Sequence, residues 1–166
     1  ERVPRFASVH LSREGLEGLS VGVRERVPKA LYCAKDCYFL DEDGYIYSEA
    51  PNFDGGAYLE YRDGEIENPV GKSFLTKEKF RELNNFVESF RGLRLVPKTI
   101  VKERDVYRVI LEDDVEVRWR AEQDFSKLFV DLNSFLNDKQ IKNLRVSELL
   151  YLDLSFDNKV YWACKE

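Results

Sequence analysis

The chain has 166 residues, of which 43% are hydrophobic, 13% aromatic and 34% charged. That is enough apolar material for one folded domain, or one and part of a second, and too much for a disordered chain. No run approaches the roughly 18 consecutive apolar residues of a spanning helix, and a net charge of −5 argues against a nucleic-acid surface. Methionine is absent even from position 1, so Glu1 reads as a cut inside a longer protein whose signal, anchor or further domain has been removed.

The first 50 residues read as strands and turns. Residues 8–11 partly alternate, residues 19–24 alternate strictly, and Glu14-Gly15 with Glu17-Gly18 supplies turns between them, which predicts a hairpin with one buried face. Apolar runs at 30–32 and 38–40 flank Cys33-Ala34-Lys35-Asp36-Cys37 as a short hairpin. Tyr38-Phe39-Leu40 and Tyr45-Ile46-Tyr47 flank Asp41-Glu42-Asp43-Gly44, in which Asp-Gly is a strong hairpin signal. Residues 50–56 break the pattern, 57–61 resume it, and 62–71 read as loop.

A first helix is predicted over 77–91, with Thr76 as N-cap, Phe80, Leu83, Val87 and Phe90 as its core stripe, and Gly92 as C-cap. Residues 99–101, 106–111 and 115–119 then form an antiparallel meander turning at Glu112-Asp113-Asp114. A second helix over 124–137 carries a broader stripe of Phe125, Leu128, Phe129, Leu132, Phe135 and Leu136, so it is expected to be the better buried of the two. Residues 149–156, the turn Asp157-Asn158 and residues 159–162 close the chain as a hairpin. Runs of strands with helices inserted predict an α+β fold with a largely antiparallel meander sheet and two amphipathic helices.

The inventory offers little catalytic chemistry. There is no G-x-S-x-G elbow, Walker A loop, G-x-G-x-x-G or His pair at metal spacing, and His10 is the sole histidine. Asp41-Glu42-Asp43-Gly44 lacks the alternating oxygen ligands and distal Glu of an EF-hand and reads as a solvated turn. Cys33 and Cys37 lie at paired hairpin positions, near the Cα spacing that a disulfide requires. They are either that bridge or two reduced thiols. A third reading combines them with Cys164 and His10 as a Cys₃His zinc site. Where the last strand is a sheet edge, its unpaired backbone suits strand addition by a partner, with Tyr161 and Trp162 as anchors; the alternative is that these rings finish the core.

Three passages carry a family resemblance. Leu19-Ser20-Val21-Gly22-Val23-Arg24-Glu25-Arg26-Val27-Pro28-Lys29-Ala30 resembles the strand-Glu-Arg-x-Pro-x-Ala passage of the bacterial cell-division family FtsQ/DivIB. Phe39-Leu40-Asp41-Glu42-Asp43-Gly44-Tyr45 is similar to its Asp-x-x-Gly hairpin, and Tyr151-Leu152-Asp153-Leu154-Ser155-Phe156 to its closing hydrophobic-Asp-Leu-x-aromatic hairpin. The resemblance implies a non-enzymatic scaffold of the divisome without cofactors. It would be anchored by a single membrane pass upstream of residue 1, lie at the extracytoplasmic face of the septum, and join FtsB-like and FtsL-like proteins. Residues 1–27 would then be the C-terminal hairpin of a truncated POTRA domain, and 28–166 the β domain. The family's partner-binding hairpin falls on Phe156, Asn158, Val160, Tyr161 and Trp162. A Cys33–Cys37 disulfide is not a general family feature but suits its extracytoplasmic side. An unrelated α+β enzyme using carboxylates, or a zinc-stabilised binding module, is the alternative.

Overall fold

The computed structural model describes residues 3–51, 56–64, 66–138, 141 and 144–165. The predicted break at residues 50–56 falls partly outside the described residues.

Strands β1 (Phe6–Glu14) and β2 (Gly18–Glu25) form a two-stranded antiparallel sheet of their own. Val9 pairs with Val23 and Leu11 with Val21, so the apolar side chains share one face. The alternating pattern predicted that this face is buried, and it is not. Val9, Leu11, Leu19, Val21 and Val23 are all exposed, because a lone ribbon has no second layer to cover it.

The remaining strands are β3 (Ala30–Cys33), β4 (Cys37–Leu40), β5 (Ile46–Glu49), β6 (Glu60–Arg62), β7 (Pro97–Glu103), β8 (Val106–Leu111), β9 (Glu116–Arg120), β10 (Leu149–Phe156) and β11 (Lys159–Cys164). They make one nine-stranded sheet in the order β11-β10-β9-β8-β7-β6-β3-β4-β5. Most neighbours are antiparallel, in line with the α+β prediction, but β3–β6, β6–β7 and β9–β10 run parallel. Helix α1 (Lys77–Ser89) lies on the β6-to-β7 crossover and α2 (Phe125–Asn137) on the β9-to-β10 crossover, the connections that parallel neighbours require.

The core joins both helices to the sheet. Phe80, Leu83, Phe86 and Val87 of α1 and Leu128 and Leu132 of α2 share one buried cluster with Tyr61, Ile100, Val109, Trp119 and Leu152. The Phe86 ring lies 5.1 Å from Trp119 and 5.0 Å from Phe125, so it touches the sheet and α2 at once. Tyr61 is buried and its hydroxyl hydrogen-bonds to Asn84 Oδ1 at 3.1 Å, and burial pushes that phenol well above its ordinary range.

Helix starts agree with the pattern and helix ends do not. Thr76 caps α1 and Asp124 caps α2 by accepting the amides of Lys79 and Lys127. Gly92, however, is no C-cap: the chain tightens into a 3₁₀ turn over Phe90–Leu93, and the left-handed residue is Arg94, at φ 61°. The ranking of the helices is also reversed. α1 buries five residues and α2 only Leu128 and Leu132. The stripe of α2 is wider than the sheet beneath it can cover, so Phe125, Phe129, Phe135 and Leu136 stay half-exposed.

Asp41 corrects the solvated-turn reading. It is buried, its Oδ1 accepts the amides of Asp43 and Tyr45 at 2.9 and 3.0 Å, and its Oδ2 pairs with Arg26. The Arg26 guanidinium also lies 4.1 Å over the Tyr45 ring and donates from Nε to the Pro4 carbonyl at 2.9 Å. One side chain thus ties the N-terminal hairpin to the β4–β5 turn of the main sheet.

Candidate functional site: the C-terminal edge strand

Strand β10 is locked into the sheet on one side only by β9, with Leu149, Leu152 and Leu154 buried beneath the helices. Its other neighbour is β11, which ends the strand order, so among the described residues one side of β11 has no sheet partner. Leu152 faces Trp162, Asp153 faces Tyr161 and Phe156 faces Lys159. The two-residue turn closes through Asn158 in the left-handed region at φ 58°, which Asn tolerates. Asp157 in the same turn accepts from Lys127 Nζ of α2 at 2.8 Å. Those two charges favour each other: the Lys127 hydrogen bond and charge hold the Asp157 carboxyl below its ordinary range, and the same bond raises the lysine.

Alternation sorts the aromatic residues onto both faces of the edge. Trp162 lies on the helix side, its ring 6.2 Å from Phe135. Tyr161 lies on the opposite side, edge-on to Phe156 at 4.9 Å. None of the three completes the core: Phe156, Tyr161 and Trp162 are 46%, 48% and 42% exposed, which settles against the core-finishing alternative. Of the two flanking lysines, Lys165 is engaged, donating from Nζ to the carbonyls of Asp113 and Ser147 at 2.6 and 3.0 Å. That leaves Lys159 as the exposed cation beside the strand.

The predicted residues therefore divide. Asn158, Val160 and Trp162 border a depression of about 330 Å³ that reaches α2 at Asp131, Phe135 and Asp138, while Phe156 and Tyr161 lie on the other face. Phe135 was missed because it belongs to a stripe that reads as core. The one signal was that stripe's excess width.

Other candidate chemistry resolves into structure. Cys33 and Cys37 are directly opposed on β3 and β4 and are joined as a disulfide, which removes two of the four proposed zinc ligands. Cys164 is a free, exposed thiol, and no metal-competent cluster occurs among the described residues. Burial alone would raise the Asp43 carboxyl, but hydrogen bonds and charge from Lys77 and Arg81 outweigh it and hold the group below its ordinary range. Acid catalysis uses the opposite shift. An open groove of about 1060 Å³ between α1 and α2 includes Phe86, Phe125 and Phe129 in its walls and has no histidine or cysteine among its lining residues.

No known protein family and no curated protein matches the chain in sequence. Among the described residues no helix is long and apolar enough to cross a membrane.

Proposed function

We propose that this chain is a non-enzymatic scaffold of the bacterial cell-division machinery, acting on the extracytoplasmic side and capturing a partner by strand addition at β11. The observation that carries the reading is the placement of β11 at the open end of a nine-stranded sheet with exposed aromatic rings on both of its faces. Unpaired backbone groups supply affinity for any extended segment, and flanking rings supply the anchors that make such binding specific. The order of the three FtsQ/DivIB-like passages points to an FtsB-like protein as the strand donor, with an FtsL-like protein in the same assembly. A disulfide on β3–β4 agrees with an oxidising compartment. The separate β1–β2 ribbon, with its exposed apolar face, suits the end of a neighbouring POTRA domain.

A pull-down with the extracytoplasmic part of an FtsB-like coiled coil tests this. Trp162→Ala and Phe156→Ala should each weaken capture by roughly tenfold or more, the effect expected of anchor residues. Unchanged capture by both variants would remove the site, and no capture by the unaltered chain would remove the partner.

A further inference from the structure

Resting on the strand-addition reading, we infer that Asp153 is a positioning residue of the capture strand: it sets the register of β11 that puts Trp162 on the α2 face and Tyr161 on the other. The turn and the strand differ by one residue. Starting from Phe156 opposite Lys159 at the turn, an unbroken antiparallel ladder would pair Leu154 with Tyr161 and Asp153 with Trp162. The observed pairs are Asp153 with Tyr161 and Leu152 with Trp162, because β10 carries one extra residue between Asp153 and Phe156. A one-residue shift exchanges the two faces of a strand. With Leu154 buried beneath the helices, the unbroken register would turn Tyr161 toward α2 and Trp162 away from it. The rings agree with the shift: Asp153 and Phe156 are three residues apart, yet Tyr161 is paired with the first and lies 4.9 Å from the ring of the second.

Asp153 holds the extra residue in place. Its Oδ1 accepts the Ser155 amide at 2.9 Å, inside the bulge. Gln123, from the segment before α2, donates from Nε2 to the Leu154 carbonyl at 2.9 Å, so side chains bind both polar groups of the Leu154–Ser155 peptide. Such local bonds offer the backbone an alternative to the ladder, which is what an extra residue in a strand requires. The other carboxylate oxygen is engaged as well. Arg118 Nε lies 3.0 Å from Asp153 Oδ2, and the same guanidinium sits 4.2 Å over the Tyr151 ring. Arg118 and Asp153 are ladder partners on β9 and β10, so an interior strand fixes the carboxylate beside the bulge. Both anchors depend on the result: in the unbroken register Trp162 would leave Phe135, and Tyr161 would leave Phe156.

Solution NMR of the free protein reads the register, and the pull-down with the extracytoplasmic part of an FtsB-like coiled coil reads its consequence. Asp153→Ala should move the cross-strand contact of position 153 from Tyr161 to Trp162, separate the Trp162 and Phe135 rings, and reduce capture about tenfold, as loss of an anchor does. Asp153→Asn, which keeps an acceptor oxygen for Ser155, should retain the native register and most of the capture. Deleting Ser155 removes the extra residue, so in that background Asp153→Ala should leave Trp162 against Phe135. An Asp153→Ala chain that keeps the native pairs, or an Asp153→Asn chain that slips, would overturn the inference and leave strand addition standing. If Asp153→Ala does not fold, the deletion background decides: folding there with the Trp162–Phe135 contact supports the register role, and failure there too overturns it. A slipped chain that captures as well as the unaltered one would overturn the positioning role, whereas an unaltered chain that captures nothing would defeat strand addition itself.

Discussion

Two residues of the β4–β5 turn show how closely local chemistry and packing are joined. Gly44 has φ of 75°, and a Cβ built there would stand 2.6 Å from Cγ of the buried Phe80. Substitution is thus penalised twice, by backbone conformation and by collision with a core ring. Gly44→Ala should cost roughly 2 kcal/mol or more in chemical denaturation, and a cost below about 0.5 kcal/mol would show that Phe80 is not seated against the turn. One residue earlier, Asp43 pairs with Lys77 at 2.7 Å and Arg81 at 2.6 Å, both in the first turns of α1. Because its carboxyl is held below its ordinary range in the folded protein, its contribution is complete above that range and disappears as pH falls through the lowered value. Asp43→Asn should therefore be less stable than the unaltered protein at neutral pH, by roughly 0.5 kcal/mol for pairs this exposed. Melts repeated at descending pH should show the two proteins converging below the ordinary aspartate range; a gap that widened on acidification would contradict the pairing.

At the scale of elements, the disulfide clips β3 to β4 across a sequence separation of only four residues. Closing so short a loop restricts the unfolded chain modestly, by about 2 kcal/mol on the loop-entropy account. Thiol titration of the native protein should find one reactive cysteine of the three, Cys164, and reduction should lower the melting temperature by about 4 to 8 °C. Three reactive thiols before reduction would refute the bridge.

The same scale explains what could be seen in advance. The hairpins at Asp43-Gly44 and Asp157-Asn158 and the helix starts at Thr76 and Asp124 were legible because turn and cap chemistry is local. The parallel pairs β3–β6 and β9–β10 were not, since crossovers through other segments decide which strands meet. The exposed face of β1–β2 and the buried Asp41 were misread for a related reason: burial depends on a second layer in one case and on Arg26, fifteen residues away, in the other. On the C-terminal hairpin, the aromatics of β11 were visible as a pattern. The depression that α2 shares with Val160 and Trp162 was hidden, because the apolar stripe of α2 looks wholly structural.

Across the whole molecule, the sheet is built asymmetrically. Its interior strands are held by two crossover helices and a continuous aromatic core, whereas its last strand is held from one side and tethered at its ends by Lys127–Asp157 and Lys165. Such a strand is well enough placed to act as a template and open enough to accept another. In the proposed strand addition, unpaired backbone would supply affinity, with Phe156 and Tyr161 as anchors on one face and Trp162 on the other. The β1–β2 ribbon lies near the opposite end of the chain, and the Arg26 clamp joins it to the main sheet.

Amide hydrogen exchange of residues 159–164, measured with and without the extracytoplasmic part of an FtsB-like coiled coil, tests the central claim most directly. Strand addition predicts that the outward-facing amides of β11 exchange quickly in the free protein and become strongly protected in the complex, while those of β5, the other edge, do not change. Binding that leaves β11 exchange unaltered, or protects β5 instead, would contradict it.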